Sequence, residues 1–318
     1  MNLTIERRFA VIGAGFIGKS LIRNLLLRGL EVNVLDRNVC PDEFTGKVNW
    51  TVGNFHDQSA LYTVLEYSSV AYHLVSSTVP GDQHVDVAME LQENVVGSLH
   101  FIDACIAADV QRIVFASSSS VYGIQNRVPI NECALTNPVS AHGIHKLTLE
   151  KFLLLANHLH GIDVRILRIA NPYGPGQSTL GRQGFVAIAI GCLLRGTALT
   201  LRDMGRMIRD FIYIDDLADA LALGGLLNDL PPIINIGAGK GYTLREVVDV
   251  IEQLIGHQME ILSADARSVD IPVSVMDIGL AHSIMGFTPA IGLRKGIART
   301  LQSHGFQINE PINHDNLN

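Results

Sequence analysis

Gly13-Ala14-Gly15-Phe16-Ile17-Gly18 spaces three glycines in a way that suits a pyrophosphate. The first glycine of such a hexapeptide makes a tight turn. The second lets the backbone come close to the phosphates, and the third lets a helix pack on a strand. The helix that opens there points its N-terminal N–H groups at the ligand. Further along, Asp36 stands where an acidic side chain accepts hydrogen bonds from the adenosine ribose hydroxyls. A 2'-phosphate would meet that carboxylate, so this pair of features favours NAD over NADP. Arg37, next to it, is the group able to accommodate a 2'-phosphate.

Such a site needs a strand before it and a helix after it, and both are legible. Phe9-Ala10-Val11-Ile12 is an apolar run, and the segment from Phe16 to Arg28 carries Ile17, Leu21, Ile22, Leu25 and Leu26 on one helical face. Gly29 ends that helix. Glu31 to Leu35 reads as the second strand. Residues 48–52, 70–74, 112–116 and 163–169 read as further strands, with helices over 59–67, 86–108 and 140–160 between them. This alternation predicts an α/β fold of the Rossmann type, a doubly wound parallel sheet with helices on both faces. After residue 170 the pattern loosens, and 171–184 is rich in Gly and Pro. We read 1–170 as the dinucleotide-binding domain. Residues 171–308 form mainly a smaller C-terminal substrate-binding lobe, with some strands and helices returning to the first domain, and 309–318 is a polar tail.

The 318 residues are 47% hydrophobic and 17% charged, enough apolar material for a large core. The net charge of -7 and the lack of a basic patch argue against nucleic acid as a partner. No apolar run is long enough to span a membrane, and Met1 to Arg8 has no signal-like stretch. Cys40, Cys105, Cys133 and Cys192 are widely spaced and read as reduced thiols of a cytoplasmic protein. The twelve histidines form no cluster with metal-ligand spacing, so no metal is expected.

Five further segments carry a family resemblance. Phe115-Ala116-Ser117-Ser118-Ser119-Ser120-Val121-Tyr122-Gly123 resembles the "SSxxVYG" strand end of the extended short-chain dehydrogenases/reductases. Ser140 to Lys146 is similar to their "SPYGxxK" helix, and Arg168 to Gly176 to their "RxxNxYGPG" loop. Arg209 to Asp216 resembles "RDFIYVDD", and Ile234 to Gly237 resembles "NIG". The order is the family's, and the matches span about Phe9 to Leu301. The resemblance is strongest to the UDP-sugar 4-epimerases. It implies that Ser118 orients the sugar 4-hydroxyl and that Lys146 holds the nicotinamide ribose and supplies positive charge. Asn54, Phe55, Leu74, Val75, Ser76 and Asn94 would border the cofactor. Asn171, Arg209 and Arg267 would bind the diphosphate, where a planar guanidinium suits phosphate oxygens. Asp270 would bind the nucleotide ribose, and Thr78, Gln183 and Phe185 would shape the sugar pocket.

The departures from the family pattern are informative. The glycine motif has one residue fewer between its first two glycines, and Asn54 replaces an aspartate that faces the adenine. Arg202 stands where relatives carry an aromatic residue near the base, and it can stack there in turn. The largest change is His142, in the place of the family's catalytic tyrosine. Positions four apart share a helix face, so His142 and Lys146 are expected to be neighbours. A histidine titrates near 6.5, and nearby positive charge lowers that value, so a neutral imidazole is available as the base. Its tip falls short of a phenol oxygen by roughly 2 Å. Three roles follow for His142: a working base, a replacement whose proton passes through Ser118 or a water, or the mark of a protein that binds without turnover. Tyr122, four residues after Ser118, is another possible proton carrier but is expected to be structural.

The expectation is an NAD-dependent 4-epimerase of a UDP-hexose or UDP-N-acetylhexosamine, working through a 4-keto intermediate. The alternatives are an NDP-4-keto-sugar reductase and a non-catalytic NAD or nucleotide-sugar binder. A dehydratase fits less well, because Ser119 and Ser120 occupy the positions of its Asp-Glu pair. The resemblance also implies a homodimer built on the helices over 86–108 and 140–160.

Overall fold

The computed structural model describes residues 8–76, 86–181, 183–267 and 269–309. Its first half runs β1 (Arg8–Ile12), α1 (Phe16–Leu27), β2 (Glu31–Asp36), β3 (Asn49–Val52), α2 (Gln58–Leu65), β4 (Ser68–His73), α3 (Val87–Leu91), α4 (Gly97–Ala107), β5 (Arg112–Ser118), α5 (Ala141–His160) and β6 (Asp163–Ile169). The second half continues β7 (Asn171–Tyr173), α6 (Phe185–Arg195), β8 (Leu199–Arg202), β9 (Ile208–Tyr213), α7 (Ile214–Leu226), β10 (Ile233–Ile236), β11 (Gly241–Thr243), α8 (Leu244–Ile255), β12 (Ile261–Ala264), β13 (Val273–Ser274), α9 (Gly279–Met285) and α10 (Leu293–Ser303).

Seven strands form one parallel sheet in the order β3-β2-β1-β4-β5-β6-β10. Strand side chains alternate between faces, and the apolar runs supply a core on each. Phe9, Val11, Val34, Tyr72, Val114 and Leu167 pack with α1 and α7 on one face. Ala10, Ile12, Ala71, Ile113, Phe115 and Ile166 pack with α2, α4 and α5 on the other. This is the Rossmann-type doubly wound sheet expected from the sequence. Strand order reverses between β1 and β4, and crevices at such switch points hold ligands at the carboxyl ends of the strands.

The second lobe is built on β9, which pairs with β7, β11 and β13, while β8 and β12 form a separate parallel pair. Elements from this half also pack with the seven-stranded sheet and its helices. β10 closes the sheet beside β6, and α7 packs against α1.

One element differs from the helix expected over 86–108. A π-helical turn at Gln92–Val96 separates α3 from α4. The side-chain amide of Asn94 donates to the Glu90 carbonyl at 2.8 Å. In an α-helix that carbonyl accepts the backbone N–H of residue 94, so the side chain takes its place and the helix widens by one residue.

Candidate active site

At the end of β1 the chain turns on Gly13, whose φ of +96° favours glycine. A Cβ added at Gly18 would lie 2.0 Å from the Gly13 carbonyl oxygen, so only glycine lets α1 approach the turn. A Cβ at Gly15 would meet nothing within 4 Å, and α1 begins there with no side-chain cap and no acidic residue in its first turn. An open glycine surface in front of uncapped N–H groups fits a pyrophosphate. Phe16 and Ile17 form the first turn of that helix. The Asp36 carboxylate is braced by the Ala14 N–H at 2.7 Å and by the backbone and side-chain N–H groups of Asn38, both at 2.8 Å. Arg37 beside it is exposed. These residues suit NAD.

The other cofactor-side residues fall in different settings. Leu74 and Ser76, just after β4, line a cavity of about 440 Å³ at the carboxyl end of the sheet, as Ile17 does. Val75 packs against Gly13. Asn54 is exposed and accepts the His56 N–H. Phe55 is buried, edge-on to the ring of His73. Asn94 is buried in the π turn. Thr78 lies outside the described residues.

Ser118 ends β5, and its Oγ caps the 3₁₀ turn Ser119–Tyr122. The helix α5 starts at the Ser140 N-cap, whose Oγ accepts the Gly143 N–H at 3.2 Å. A Cβ at Gly143 would come within 2.7 Å of the Ser120 carbonyl oxygen, so the glycine allows the first turn of α5 to abut the 3₁₀ turn. This contact brings Ser118, His142 and Lys146 to the wall of one cavity. The Lys146 ammonium donates to the Ala116 carbonyl at 2.7 Å and lies 4.7 Å from the Phe115 ring centroid. Burial pushes its pKa down to about 8, against the opposing charge of Glu150. Burial first, then Lys146 and His145, push the His142 imidazole down to about 3, so it is neutral at physiological pH.

Behind this wall lies a buried ion pair. Arg168 holds Glu150 through two bonds, Nε at 3.0 Å and Nη2 at 2.6 Å, and Ser117 Oγ donates to the same carboxylate. The Arg168 guanidinium sits over the Tyr122 ring, whose hydroxyl donates to Asn235 Oδ1 at 2.7 Å. Tyr122 is thus buried, tied away from the cavity, and raised in pKa by burial. It is a structural residue and not a proton carrier.

The second lobe contributes the remaining wall. Asn171, on β7, donates to the Asp210 carbonyl at 2.9 Å and lines the cavity. Arg209, on β9, also lines it and donates to the Ile208 carbonyl, and burial lowers its pKa. Gln183 and Phe185 line it as well. Arg267 and Asp270 both reach the cavity but meet each other there, in an ion pair at 2.7 Å. Arg202 ends β8, donates to the Asp265 carbonyl, and is not among the cavity residues.

Sequence reading missed Gln177. It lines the cavity, and its buried Oε1 has no hydrogen-bond partner among the described residues. Its amide packs against Gly184, where a Cβ would lie 2.4 Å from Nε2. The signal available was a polar residue in the Gly- and Pro-rich loop directly after Gly176. No group of three or more metal-ligating side chains occurs among the described residues.

The family model described as "NAD dependent epimerase/dehydratase family" matches residues 10–237. The chain is similar to the UDP-glucose 4-epimerase of Azospirillum brasilense, with 31% identity over 321 residues, 92% of this chain and 89% of that protein. Among solved structures it resembles the UDP-glucose 4-epimerase of Thermotoga maritima with UDP-glucose, at a TM-score of 0.87 and 26% identity, covering 94% of this chain and 98% of that one. It also resembles the UDP-glucose 4-epimerase of Thermus thermophilus in complex with NAD, at a TM-score of 0.84 and 30% identity, covering 93% and 98%. With the family model matching residues 10–237 and a relative 31% identical over 92% of this chain, the chain belongs to the NAD-dependent epimerase/dehydratase family.

Proposed function

We propose that the chain is an NAD-dependent 4-epimerase of a UDP-hexose or a UDP-N-acetylhexosamine. The observation that carries this reading is a single cavity with a serine, a neutral imidazole and a buried ammonium on the sheet side, and Asn171, Arg209 and Arg267 on the lobe side. The first set suits oxidation and reduction of a sugar hydroxyl, the second a diphosphate. The likeness to UDP-glucose 4-epimerases supports the same conclusion.

When bound, NAD supplies a hydride acceptor and donor for sugar C4. The protein's part is to move one proton and to hold the sugar. As C4 gives up its hydride, the O4–H bond breaks and the proton passes to the neutral His142 imidazole, leaving a 4-keto sugar oxidised by two electrons. A single water between the imidazole and O4 spans the roughly 2 Å by which histidine is shorter than tyrosine. The protonated imidazole then lies in the field of Lys146, which favours return of the proton. Return suits the second half of the reaction, where proton and hydride go back to O4 and to the opposite face of C4. Arg209 and Asn171 keep the nucleotide fixed while the keto sugar turns over.

Incubation with UDP-glucose, UDP-galactose and their N-acetyl forms in the presence of NAD tests this. Interconversion of a C4 pair, resolved by chromatography, without net reduced cofactor, is the expected result. No conversion of any pair overturns the reading.

The working unit is proposed to be a homodimer. Ile144, Phe152, Leu155 and Leu159 form one exposed face of α5, at 50%, 38%, 47% and 62% exposure, and Val87, Met89 and Leu91 are exposed on the neighbouring α3 segment. A second copy packing the same helices would cover this apolar surface. The four cysteines are free thiols, which supports a reducing, cytoplasmic setting. No helix among the described residues is long and apolar enough to cross a membrane.

A further inference from the structure

Ser120 lies two residues past Ser118, and both line the cavity. The Ser118 Oγ accepts the Ser120 backbone N–H at 3.2 Å and bonds the Ser120 Oγ at 2.9 Å. A serine hydroxyl has two acceptor lone pairs and one donor hydrogen. The backbone N–H occupies one lone pair in every case. The sense of the hydroxyl–hydroxyl bond decides what remains for a ligand.

We propose that Ser120 is a positioning residue, whose hydroxyl donates to Ser118 and so makes Ser118 a dedicated hydrogen-bond donor to the reacting sugar oxygen. This role rests on the epimerase reading above and deepens it. With both lone pairs filled from Ser120, Ser118 has only its hydrogen left to present to the cavity. O4 is a hydroxyl before oxidation and a ketone oxygen after it. A partner that stays on O4 through both states must donate, because a ketone oxygen only accepts. Ser118 in this state meets that demand at every stage of the cycle. It also separates two roles that a shorter base would otherwise merge. A relay through Ser118 needs the serine to accept the sugar proton while passing on its own, and no lone pair is open for that. The O4 proton therefore goes to His142 directly or through water, and the proton count of Ser118 never changes. The Gly143–Ser120 contact holds the turn that carries this bond against the start of α5.

The backbone shape of this turn makes the bond local. The Ser118 φ and ψ of -143° and 147° hold it in the extended form that lets its side chain cap the 3₁₀ turn. Ser120 is in that turn's first residues, so its N–H and Oγ reach the same oxygen.

Two measurements decide the proposal. Neutron diffraction from wild-type crystals grown in D₂O locates the exchanged hydrogens. Deuterium on Ser120 Oγ directed at Ser118 supports the donor assignment, and deuterium on Ser118 directed at Ser120 overturns it. This reading needs no turnover, so it stands apart from whether any UDP-sugar is a substrate. The second measurement is kinetic, on wild type, S120A, S120T, S118A and S118A/S120A. S120A is expected to lose about tenfold in kcat with KM nearly unchanged, the effect of about one neutral hydrogen bond. S120T keeps a hydroxyl and should recover most of the rate. S118A/S120A should be no slower than S118A, because Ser120 acts through Ser118. A wild-type kcat in S120A, or a full tenfold further loss in the double variant, overturns the role. If wild type converts no UDP-sugar, the epimerase reading falls, and the neutron result still decides the donor assignment.

Discussion

With His142 as the proposed base, a buried imidazole sets the acid side of the pH profile and Lys146 the alkaline side. The His142 imidazole is pushed down to about 3, so it is already the base form across the physiological range. Lys146 is pushed down to about 8, so its charge is present below that value and lost above it. The pH profile of kcat/KM is therefore expected to be flat from about pH 5 to 7, with an alkaline limb near 8 and no acid limb near the ordinary histidine value of about 6.5. A limb with its midpoint at about 6 to 7 that vanishes in H142Q would show a solvated imidazole and refute the buried setting. Ser118, His142 and Lys146 are legible through the resemblance to the family's motifs, and helix spacing adds only that His142 and Lys146 share a face. The sequence did not reveal that Arg267 and Asp270 meet each other. Nor did it reveal that Arg202 donates to the Asp265 carbonyl. The Arg267–Asp270 pair is a local contact three residues apart, whereas the Arg202 contact depends on how the distant strands β8 and β12 come together, which no local pattern encodes. Gln177 escaped for a related reason, since a glutamine in a polar loop has no periodicity to betray it.

Helix α5 carries its chemistry on one turn and its anchor on the next. Lys146 and Glu150 are four residues apart, and Glu150 is fully buried with Arg168 and Ser117 as its partners. Removing one member of a buried pair strands the other charge, at a cost of roughly 3–5 kcal/mol. R168M is expected to lose about that much unfolding free energy, read as a markedly lower urea midpoint. The double replacement E150L/R168M should regain part of the loss, because both charges of the pair go together, while the buried Lys146 loses the opposing charge of Glu150. A single variant as stable as wild type would mean that the pair contributes nothing to holding α5 on β5 and β6. Element types and order were largely readable here because apolar strands and amphipathic helices mostly alternate through residue 169, the exceptions being the short turn between β2 and β3 and the break between α3 and α4. The π turn before α4 was not, because a side-chain amide capturing its own helix carbonyl leaves the apolar periodicity nearly intact.

Among the described residues, α5 carries an exposed apolar face, and the second half of the chain supplies the strand that closes the sheet beside β6. If a second copy covers α3 and α5, L155E should convert a dimer to a monomer in sedimentation velocity while the far-ultraviolet circular dichroism stays unchanged. A monomeric wild type at micromolar concentration would remove the dimer from the proposal. The doubly wound sheet was foreseeable in class, but its closing strand was not assignable from the sequence, since β10 follows a long stretch of lobe. That ordering has a consequence during synthesis. β6 is made first and its partner β10 only roughly sixty residues later, several seconds of translation at ordinary rates. Throughout that interval the nascent chain presents a bare parallel edge of Val164, Ile166 and Leu167, and an open edge is a template for pairing with another chain. A chaperone shielding nascent chains, or a slow local rate of codon reading placed after β10 rather than before it, would therefore decide how much of this protein reaches its native sheet.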